Sequence, residues 1–429
     1  MTWSIQEALT WLDEHQNFES VGEFRGEPTL DSVRVALSAL GISPQEFLTI
    51  HITGTNGKGS TSYIATELLV GLGHKVGTFT SPHLHRVNER IRLNGEPVSD
   101  ALLADELLLV SGLEKTLGIT LSWFEILTVT AIALFYAEGV DTLVLEVGIG
   151  GTWDSTNAMD GDVAVITNVA KDHLEVLGPT LRDVARNKAG IIKANSISLV
   201  GILDSDLVEV IEKSAGTDFL WLGKDIVVSE VYQAVGGWKF DLRTRRSIFS
   251  DLYLSLYGRF QVDNAALAIA AVEELIKKSL SGDFLSEILS RIAIPGRAEI
   301  AHYSPLVILD VAHNPAGARA LCQLIDLEFA GYEPRICVVS LLKHKDSKEF
   351  FGELRGTFDT IVLSLGTYDR FTPTEELEVI AKKLDFDLRT APSIEASVAL
   401  GIKLAGENGL VVITGSFRVV GPARAFLNS

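Results

Sequence analysis

A glycine-rich segment that contains a lysine carries the strongest chemical signal in the sequence. It consists of Gly54, Thr55, Asn56, Gly57, Lys58, Gly59 and Ser60. Backbone amides in such a turn converge on one point, and the N-terminus of a following helix adds partial positive charge. The lysine brings a full charge to the β- and γ-phosphates of a nucleotide. Because Gly59 separates Lys58 from the hydroxyl of Ser60, the spacing differs from that of the common P-loop, and we predict a variant nucleotide-binding loop.

The residues around this loop predict the elements that position it. Leu48–Thr53 is a β-rich run that ends at the loop, and Thr61–Leu72 has helical character. Further apolar runs, such as Thr142–Val147 and Val163–Thr167, alternate with helical stretches. This alternation is typical of a buried parallel sheet with crossover helices. We therefore predict an α/β fold whose first domain is a P-loop mononucleotide-binding domain with a mostly parallel sheet.

A second domain is predicted towards the C-terminus. Pro295 and Gly296 are adjacent breakers that interrupt the helical pattern. Beyond them, strand-like runs such as Val307–Val311 and Leu410–Thr414 are separated by helix-length segments, which predicts a smaller Rossmann-like α/β domain. The expected limits are 1–293 for the ATP-binding domain, 294–298 for the linker and 299–429 for the C-terminal domain. The short alternating segments in residues 226–256 predict an antiparallel edge.

Composition disfavours several classes of function. The chain of 429 residues has a formal net charge of -19, which repels nucleic acid and anionic membrane surfaces. Its first residues lack a secretory signal, and its apolar runs are shorter than the ~20 residues that a membrane-spanning helix needs. These features predict a soluble cytoplasmic protein. The two cysteines, Cys322 and Cys337, match no zinc or redox motif and are predicted to be core thiols.

Seven further segments resemble motifs of the folylpolyglutamate synthase and dihydrofolate synthase family, within the Mur ligase superfamily. The segments are Thr80–Leu84, Trp123–Glu125, Leu145–Gly151, Asp172–His173, Lys188–Ile191, Pro295–Arg297 and Asp310–Pro315. The nucleotide loop also resembles that of the superfamily. The matches follow the family's order along most of the chain, so the resemblance does not depend on any one motif.

The resemblance implies a set of metal ligands. Ser81, Glu146 and His173 are expected to bind magnesium, and a carbamylated Lys188 is expected to ligate a second magnesium ion. Glu146 also lies at the end of a predicted strand, where open α/β sheets place ligand sites, and its carboxylate oxygens suit magnesium. Histidine is an unusual magnesium ligand, so an ordinary hydrogen-bonded side chain is the alternative for His173. The alternative for Lys188 is a solvated helix residue.

The resemblance also implies a substrate site. Trp123, Phe124, Glu125, Trp153 and Asp154 are expected to surround the pterin of a folate or pteroate substrate. An aromatic ring can stack on the pterin, and a carboxylate can accept its N–H groups. The alternative for Trp123 and Phe124 is a place in the core at the start of a helix. A dinucleotide site is disfavoured because Trp153 stands where the dinucleotide-binding motif needs glycine or alanine.

Further residues are implied around the nucleotide. Asn264, Arg297 and Asp310 are expected to contact ATP, which places the nucleotide between the two domains, and domain closure would complete the site. His313 is a candidate for positioning or deprotonating the incoming amine. A structural hydrogen bond in the turn before Pro315 is an equal alternative for His313.

The predicted function is that of an ATP-dependent carboxylate–amine ligase. Its expected reaction adds L-glutamate to a folate or its polyglutamates through an acyl phosphate, with Lys58, Lys188 and His313 as catalytic residues. The expected cofactors are ATP and two magnesium ions, the expected partners are the small-molecule substrates, which include folate or dihydropteroate, and the expected state is a monomer.

Three alternatives to this function stay open. Glu27–Ser32 departs from a Leu-Gly-Leu-Glu-Arg-like segment of bifunctional members, which favours an enzyme without dihydrofolate synthase activity. A Mur-type peptidoglycan ligase would use the same chemistry, but only 53 residues precede Gly54, fewer than its additional nucleotide-sugar domain needs. A non-catalytic nucleotide-binding switch would bind ATP without amine-dependent turnover.

Overall fold

The computed structural model describes residues 2–17, 29–214, 218–343, 345–364 and 370–429. The chain divides into two compact units. The large unit consists of Met1–Val231, Phe240–Leu252 and Asp263–Ser290, and the small unit consists of Tyr232–Lys239, Tyr253–Val262 and Arg291–Ser429. The predicted domain limits, at residues 1–293 and 299–429, stay predictions.

The large unit is built on one mostly parallel sheet. Its strands are β1 Leu48–Thr53, β2 Val76–Phe79, β3 Ile91–Leu93, β4 Glu96–Pro97, β5 Thr142–Glu146, β6 Val163–Ile166, β7 Ile197–Val200 and β8 Asp218–Trp221. Their order is β4-β3-β2-β5-β1-β6-β7-β8. From β2 to β8 along this order the neighbours pair in parallel, whereas β3 pairs antiparallel with both β2 and β4 at one edge. The mostly parallel sheet confirms the predicted fold class.

Helices connect these strands. Those of the large unit up to β8 are α1 Ile5–Asp13, α2 Asp31–Ala39, α3 Lys58–Gly71, α4 Asp100–Leu117, α5 Trp123–Ala137, α6 Leu174–Leu177, α7 Leu181–Ala189 and α8 Ser205–Glu212. Helix α5 is almost wholly apolar and buried, which explains its place in a hydrophobic core cluster of the unit. Helix α3 begins directly at the lysine of the predicted nucleotide loop.

Residues 227–254 form a sheet of their own. The strands β9 Val227–Ala234, β10 Gly237–Arg243 and β11 Ile248–Leu254 follow in the order β11-β10-β9. The sequence predicted an edge here, and the structure instead separates these strands from the eight-stranded sheet. A turn connects β8 to β9, in which the amide of Gly223 donates to the carbonyl of Ile226. Helices α9 Phe260–Ile276 and α10 Gly282–Leu289 follow.

The small unit contains a second α/β sheet, as the sequence predicted. Its strands are β12 Glu299–Tyr303, β13 Leu306–Leu309, β14 Arg335–Val339, β15 Thr360–Ser364, β16 Asp387–Ala391 and β17 Leu410–Thr414, in the order β12-β13-β17-β14-β15-β16. All neighbours pair in parallel except β12 and β13. The helices are α11 Pro315–Glu328, α12 Ser347–Leu354, α13 Thr374–Lys383, α14 Ile394–Ala405 and α15 Phe417–Leu427.

Two further expectations can be compared with the fold. Cys322 and Cys337 are both buried and unpaired, which confirms their assignment as core thiols. Within the described residue ranges, no helix has the length and apolar character that crossing a membrane requires.

Candidate active site

The predicted nucleotide loop connects the C-terminal end of β1 to the N-terminus of α3. Gly57 adopts a left-handed backbone with φ 85°, and it directly precedes the first residue of α3. A Cβ atom at Gly57 would collide with Oδ1 of Asn264 and would lie 3.2 Å from its Cγ, so only glycine fits without a shift. Asn264, a predicted ATP contact on α9, therefore lies against the loop. The first amides of α3 lack intrahelical partners and provide a site for an anion.

A second loop, which follows β6, braces the nucleotide loop. The amide of Asn56 donates to Oδ1 of Asn168 at 2.9 Å, and Oγ1 of Thr167 donates to the carbonyl of Asn56 at 2.6 Å. The amide of Thr55 also donates to the carbonyl of Asn168 at 3.1 Å. The sequence analysis missed Thr167 and Asn168. The signal that could have found them is a pair of polar residues at the end of a buried strand next to β1.

Two lysines bring positive charge to this region of the large unit. Nζ of Lys58 donates to the carbonyls of Gly54 and Thr55 at 3.1 and 3.3 Å. Lys188, on α7, is 3% exposed, and burial together with the nearby charge of Lys58 lowers the pKa of its ammonium group to about 7. The carboxylate of Asp172 opposes this shift. Part of the Lys188 population is therefore a neutral amine near neutral pH.

Two of the predicted metal ligands meet at the carboxyl edge of the sheet. The amide of Ser81 donates to Oε2 of Glu146 at 3.0 Å, and Glu146 is 3% exposed. The hydroxyl and carboxylate oxygens of this pair are the hard ligands that magnesium prefers, so the donor set fits the metal. Over the described residues, no group of three or more His, Cys, Asp or Glu side chains could hold a metal ion. The predicted magnesium ligands include two residues of these types, Glu146 and His173. The other two predicted ligands are Ser81 and Lys188.

His173 directly precedes the short helix α6. Its backbone is left-handed at φ 51°, and its ring is about one third exposed. The ring nitrogens lie 3.6 Å from a carboxylate oxygen of Glu175 and 3.8 Å from one of Asp172.

The first two residues of α5 have different environments. Trp123 is 3% exposed, its Nε1 donates to Oδ1 of Asp13 at 3.0 Å, and the guanidinium carbon of Arg90 lies 4.8 Å from the centre of its ring. Trp123 is therefore a core residue that supports a buried arginine. Phe124 is half-buried and lies beside the turn after Glu146, since a Cβ at Gly148 would be 2.7 Å from its Cζ.

Two predicted substrate contacts, Glu125 and Asp154, already accept hydrogen bonds within the protein. Glu125 completes a capping box, because its Oε2 accepts from the amide of Ser122 at 2.7 Å. Trp153, also predicted to contact the substrate, is half-buried.

The carboxylate of Asp154 organises the turn that follows β5. Its Oδ2 accepts from the amides of Gly148 and Ile149 at 3.0 and 3.1 Å. Its Oδ1 accepts from the amide and the hydroxyl of Thr156 at 3.1 and 2.5 Å. Burial raises the pKa of this carboxyl group, and the four hydrogen bonds oppose the shift.

The turn after β5 is also fixed to the central strand. Thr49, His51 and Thr53 of β1 are fully buried and share one face of the sheet, since strand residues alternate. Oγ1 of Thr53 donates to the carbonyl of Gly150 at 2.6 Å, and Nε2 of His51 lies 2.9 Å from Oγ1 of Thr156. The sequence analysis missed this row, although polar residues at every second position of a buried strand were its signal.

Three predicted residues lie in the small unit. Asp310, directly after β13, is 7% exposed, and its two oxygens accept from the amides of Ala298 and Ala312 at 2.9 and 2.8 Å. Burial raises the pKa of Asp310, and the positive charge of Arg297 opposes that shift. Arg297 lies over the ring of Phe417, 5.4 Å from its centre.

His313 has a defined tautomer. Its Nδ1 lies 2.9 Å from the carbonyl oxygen of Val311. Because a carbonyl oxygen can only accept, Nδ1 carries the proton, and Nε2 of the neutral ring has the lone pair. The next residue, Asn314, caps α11 by accepting from the amide of Gly317 at 2.8 Å. The structural hydrogen bond that was the alternative for His313 is thus present.

Comparison with known proteins identifies the family. The Mur ligase middle domain matches residues 52–272, and the Mur ligase, glutamate ligase domain matches residues 296–417. A dihydrofolate synthase/folylpolyglutamate synthase of Mycobacterium tuberculosis is 32% identical over 441 residues, covering 94% of this chain and 90% of the relative. This chain belongs to the folylpolyglutamate and dihydrofolate synthase family of Mur ligases. The predicted family and the predicted class of enzyme, an ATP-dependent carboxylate–amine ligase, are therefore confirmed.

One further relative and one solved structure add to the comparison. A folylpolyglutamate synthase of Lacticaseibacillus casei is 33% identical over 368 residues, covering 83% of this chain and 84% of the relative. The solved structure of the Mycobacterium tuberculosis folylpolyglutamate synthase complexed with ADP has a TM-score of 0.91 and 31% identity. It covers 99% of this chain and 98% of that one. A non-catalytic switch does not agree with membership in this ligase family.

Proposed function

We propose that this enzyme joins the amino group of L-glutamate to a carboxylate of a folate, while ATP is split to ADP and phosphate. The observation that carries the proposal is the braced loop Gly54–Ser60 at the same sheet edge as the Ser81–Glu146 pair. Relatives also support the proposal, because proteins named folylpolyglutamate synthase match nearly the whole chain. The reaction needs a site that activates a carboxylate with a phosphoryl group.

Charge neutralisation is the central task of such a site. A carboxylate is a poor electrophile, and it repels the γ-phosphate that must reach it. Transfer of the phosphoryl group gives an acyl phosphate, which the amine of glutamate attacks with release of phosphate. Lys58 would neutralise the β- and γ-phosphates, and Arg297 would add a second positive charge. Nε2 of His313, which has a lone pair, would accept a proton from the amine as the new bond forms.

The nucleotide residues of the proposal are those of the loop and its neighbours. We propose contacts to ATP from Gly54, Thr55, Asn56, Gly57, Lys58, Gly59, Ser60, Asn264, Arg297 and Asp310. Asn264 is supported by its position against Gly57 in the large unit. For Asp310, the two backbone amides that hold its carboxylate support a fixed orientation.

Magnesium would be held by Ser81, Glu146 and His173. When bound, it would shield the charge of the phosphates during transfer. Magnesium dependence can be tested with Glu146→Gln, which keeps the size of the side chain but removes its charge. We expect ADP binding in EDTA to be unchanged in this variant, while the strengthening of ADP binding by magnesium falls by about tenfold or more. If calorimetry shows that magnesium strengthens ADP binding equally in the natural protein and in Glu146→Gln, the assignment of Glu146 as a magnesium ligand is contradicted.

Lys188 would act as a ligand after carbamylation. Its buried amine, with a pKa of about 7, has the neutral form that attacks carbon dioxide, and the carbamate would replace repulsion by Lys58 with attraction. The test is carbon-13 NMR of protein incubated with labelled bicarbonate. We expect a carbamate signal in the natural protein and none in Lys188→Arg. The same spectrum from both proteins would refute carbamylation at this residue.

The acceptor would bind beside the turn after β5. We propose that Phe124 and Trp153, both half-buried, provide its aromatic surface. Trp123, Glu125 and Asp154 would act by holding this surface in place, because each is already hydrogen-bonded within the protein. This assignment predicts that replacing Phe124 with alanine weakens binding of the folate more than binding of ATP.

The decisive experiment measures phosphate release with each substrate omitted in turn. We expect release only when ATP, L-glutamate and a folate acceptor are all present. Lys58→Gln should reduce the rate by about 100-fold or more. The matched control, Lys213→Gln, removes an exposed lysine and should leave the rate unchanged. If phosphate is released at the full rate without the folate acceptor or without glutamate, the proposal is refuted.

The same assay addresses dihydrofolate synthase activity. Glu27–Ser32, the segment that departs from the bifunctional pattern, lies partly outside the described residues. Relatives of similar identity include both the bifunctional name and the folylpolyglutamate synthase name. Initial rates with dihydropteroate and with tetrahydrofolate therefore decide whether the enzyme has one activity or two.

A further inference from the structure

The most unusual buried side chain outside the proposed chemistry is His51. It lies in the middle of β1, is 0% exposed, and has its Nε2 2.9 Å from Oγ1 of Thr156, which is also 0% exposed. Thr156 in turn donates to Oδ1 of Asp154. This chain of contacts leads from the central strand to the acceptor loop, which we define as residues 148–158. The acceptor loop contains Trp153 and the two amides that Asp154 holds.

The direction of each proton in the chain follows from the donors present. The carboxyl group of Asp154 accepts from three backbone amides, and its Oδ1 also accepts from the hydroxyl of Thr156. Thr156 must therefore point its single hydroxyl proton at Asp154. Its oxygen then has only lone pairs left for His51, and Nε2 of His51 must donate. The imidazole is thus the Nε2–H tautomer, with a lone pair on Nδ1.

The arrangement leaves an energetic cost in the core. Among the described residues, no atom forms a hydrogen bond with the buried Nδ1 of His51. A buried polar atom without a partner costs free energy, and an apolar side chain at this position would avoid the cost. Burial and the charge of Lys193 lower the pKa of His51 to about 3, which keeps the ring neutral. The position therefore holds a donor at the expense of stability.

We propose that His51 is a positioning residue for the folate acceptor, acting through Thr156 and Asp154 to fix the acceptor loop. Its Nε2–H orients the hydroxyl of Thr156, the hydroxyl orients Asp154, and Asp154 holds the amides of Gly148 and Ile149. The inference rests on the proposed function, which places the folate beside this loop. The nucleotide loop has separate support from Thr167 and Asn168, so the effect should reach the folate and not ATP.

Paired substitutions separate the donor from the shape of the side chain. His51→Leu and Thr156→Val remove the hydrogen bonds and keep most of the volume, whereas His51→Gln and Thr156→Ser keep a donor or hydroxyl. We expect the first pair to raise the KM for the folate by about tenfold or more, with the KM for ATP unchanged. Thr156→Val removes the hydroxyl that donates to Asp154, and His51→Leu removes the donor that orients this hydroxyl. The second pair should resemble the natural protein. The melting temperature of His51→Leu should stay within about 3 °C of the natural value. The stability lost with the hydrogen bond to Thr156 is offset by removal of the buried Nδ1 that has no partner among the described residues.

Hydrogen exchange gives a readout that does not depend on folate turnover. Exchange of the amides in the acceptor loop should accelerate by about tenfold in His51→Leu and in Thr156→Val, but not in the conservative pair. If the natural protein shows no folate-dependent phosphate release, the proposed function fails and the exchange rates still decide the role of His51. If His51→Leu does not fold, Thr156→Val decides it. Unchanged exchange with an unchanged KM, or equal rises in both KM values, would overturn the inference.

Discussion

Gly57 and Gly73 provide a matched test of the nucleotide loop. They have nearly the same left-handed backbone, with φ 85° and 86°, and both lie at the ends of α3. A Cβ at Gly73 meets no atom within 4 Å, whereas a Cβ at Gly57 collides with Asn264. Replacing either glycine with alanine therefore carries the same backbone strain, about 1–2 kcal/mol, and only Gly57→Ala carries a collision.

The collision determines what each variant loses. The carboxamide of Asn264 can rotate away, so the extra cost to stability is small, but the rotation displaces a predicted ATP contact. We expect both variants to lose about 1–2 kcal/mol of unfolding free energy. We expect only Gly57→Ala to bind ADP more weakly, by about tenfold or more, which corresponds to ~1.4 kcal/mol. Adding Asn264→Ala to Gly57→Ala should weaken binding little further, because the contact is already lost.

Calorimetric titration with ADP and urea unfolding of the four proteins measure these quantities. The reasoning is refuted if Gly73→Ala weakens ADP binding as much as Gly57→Ala does. It is also refuted if Gly57→Ala binds ADP like the natural protein, because the close approach of Asn264 would then have no bearing on the nucleotide.

Two further predictions concern stability. Since the pKa of His51 falls from 6.5 to about 3 on folding, the unfolded chain alone binds this proton between those values, and the free energy of unfolding should fall with decreasing pH. The fall from this group is up to about 1.4 kcal/mol per pH unit and should be absent in His51→Gln; parallel urea-unfolding profiles would contradict it. Arg246→Ala should cost about 1.5–3 kcal/mol, because it removes both hydrogen bonds to the carboxylate of Glu274, whose side chain is 2% exposed, while Arg245 stays 3.7 Å from that carboxylate. Arg389→Ala breaks a half-exposed pair with Asp387 and should cost below about 1 kcal/mol, so similar losses in both variants would count against this ranking.

Local patterns were sufficient for the elements and for part of the site. The end of β1 at Thr53 was predicted because a glycine-rich turn follows it directly, whereas α3 begins at Lys58, three residues before the predicted start at Thr61. Ser81 and Glu146 meet because the ends of adjacent parallel strands share one edge, a rule that needs no knowledge of distant contacts.

The parts that could not be predicted depend on partners far apart in the sequence. Asn56 and Asn168 are separated by 112 positions, and His51 and Thr156 by 105, so no local pattern joins them. Trp123 shows a different limit of prediction from sequence. Its aromatic type fits both a stacked substrate and the core, and only its hydrogen bond to Asp13 and its contact with Arg90 reveal its structural role. The separate sheet formed by residues 227–254 shows a third limit, because alternating residues predict strands but do not tell which sheet those strands join.

The burial of both cysteines makes the protein convenient for spectroscopy. Burial raises the pKa of Cys322 to about 12 and raises that of Cys337 well above its usual value. Alkylating dyes react with the thiolate, so neither native thiol should take up a maleimide at neutral pH while the protein is folded. One cysteine engineered at an exposed position would thus receive a fluorophore cleanly, with the natural core left intact.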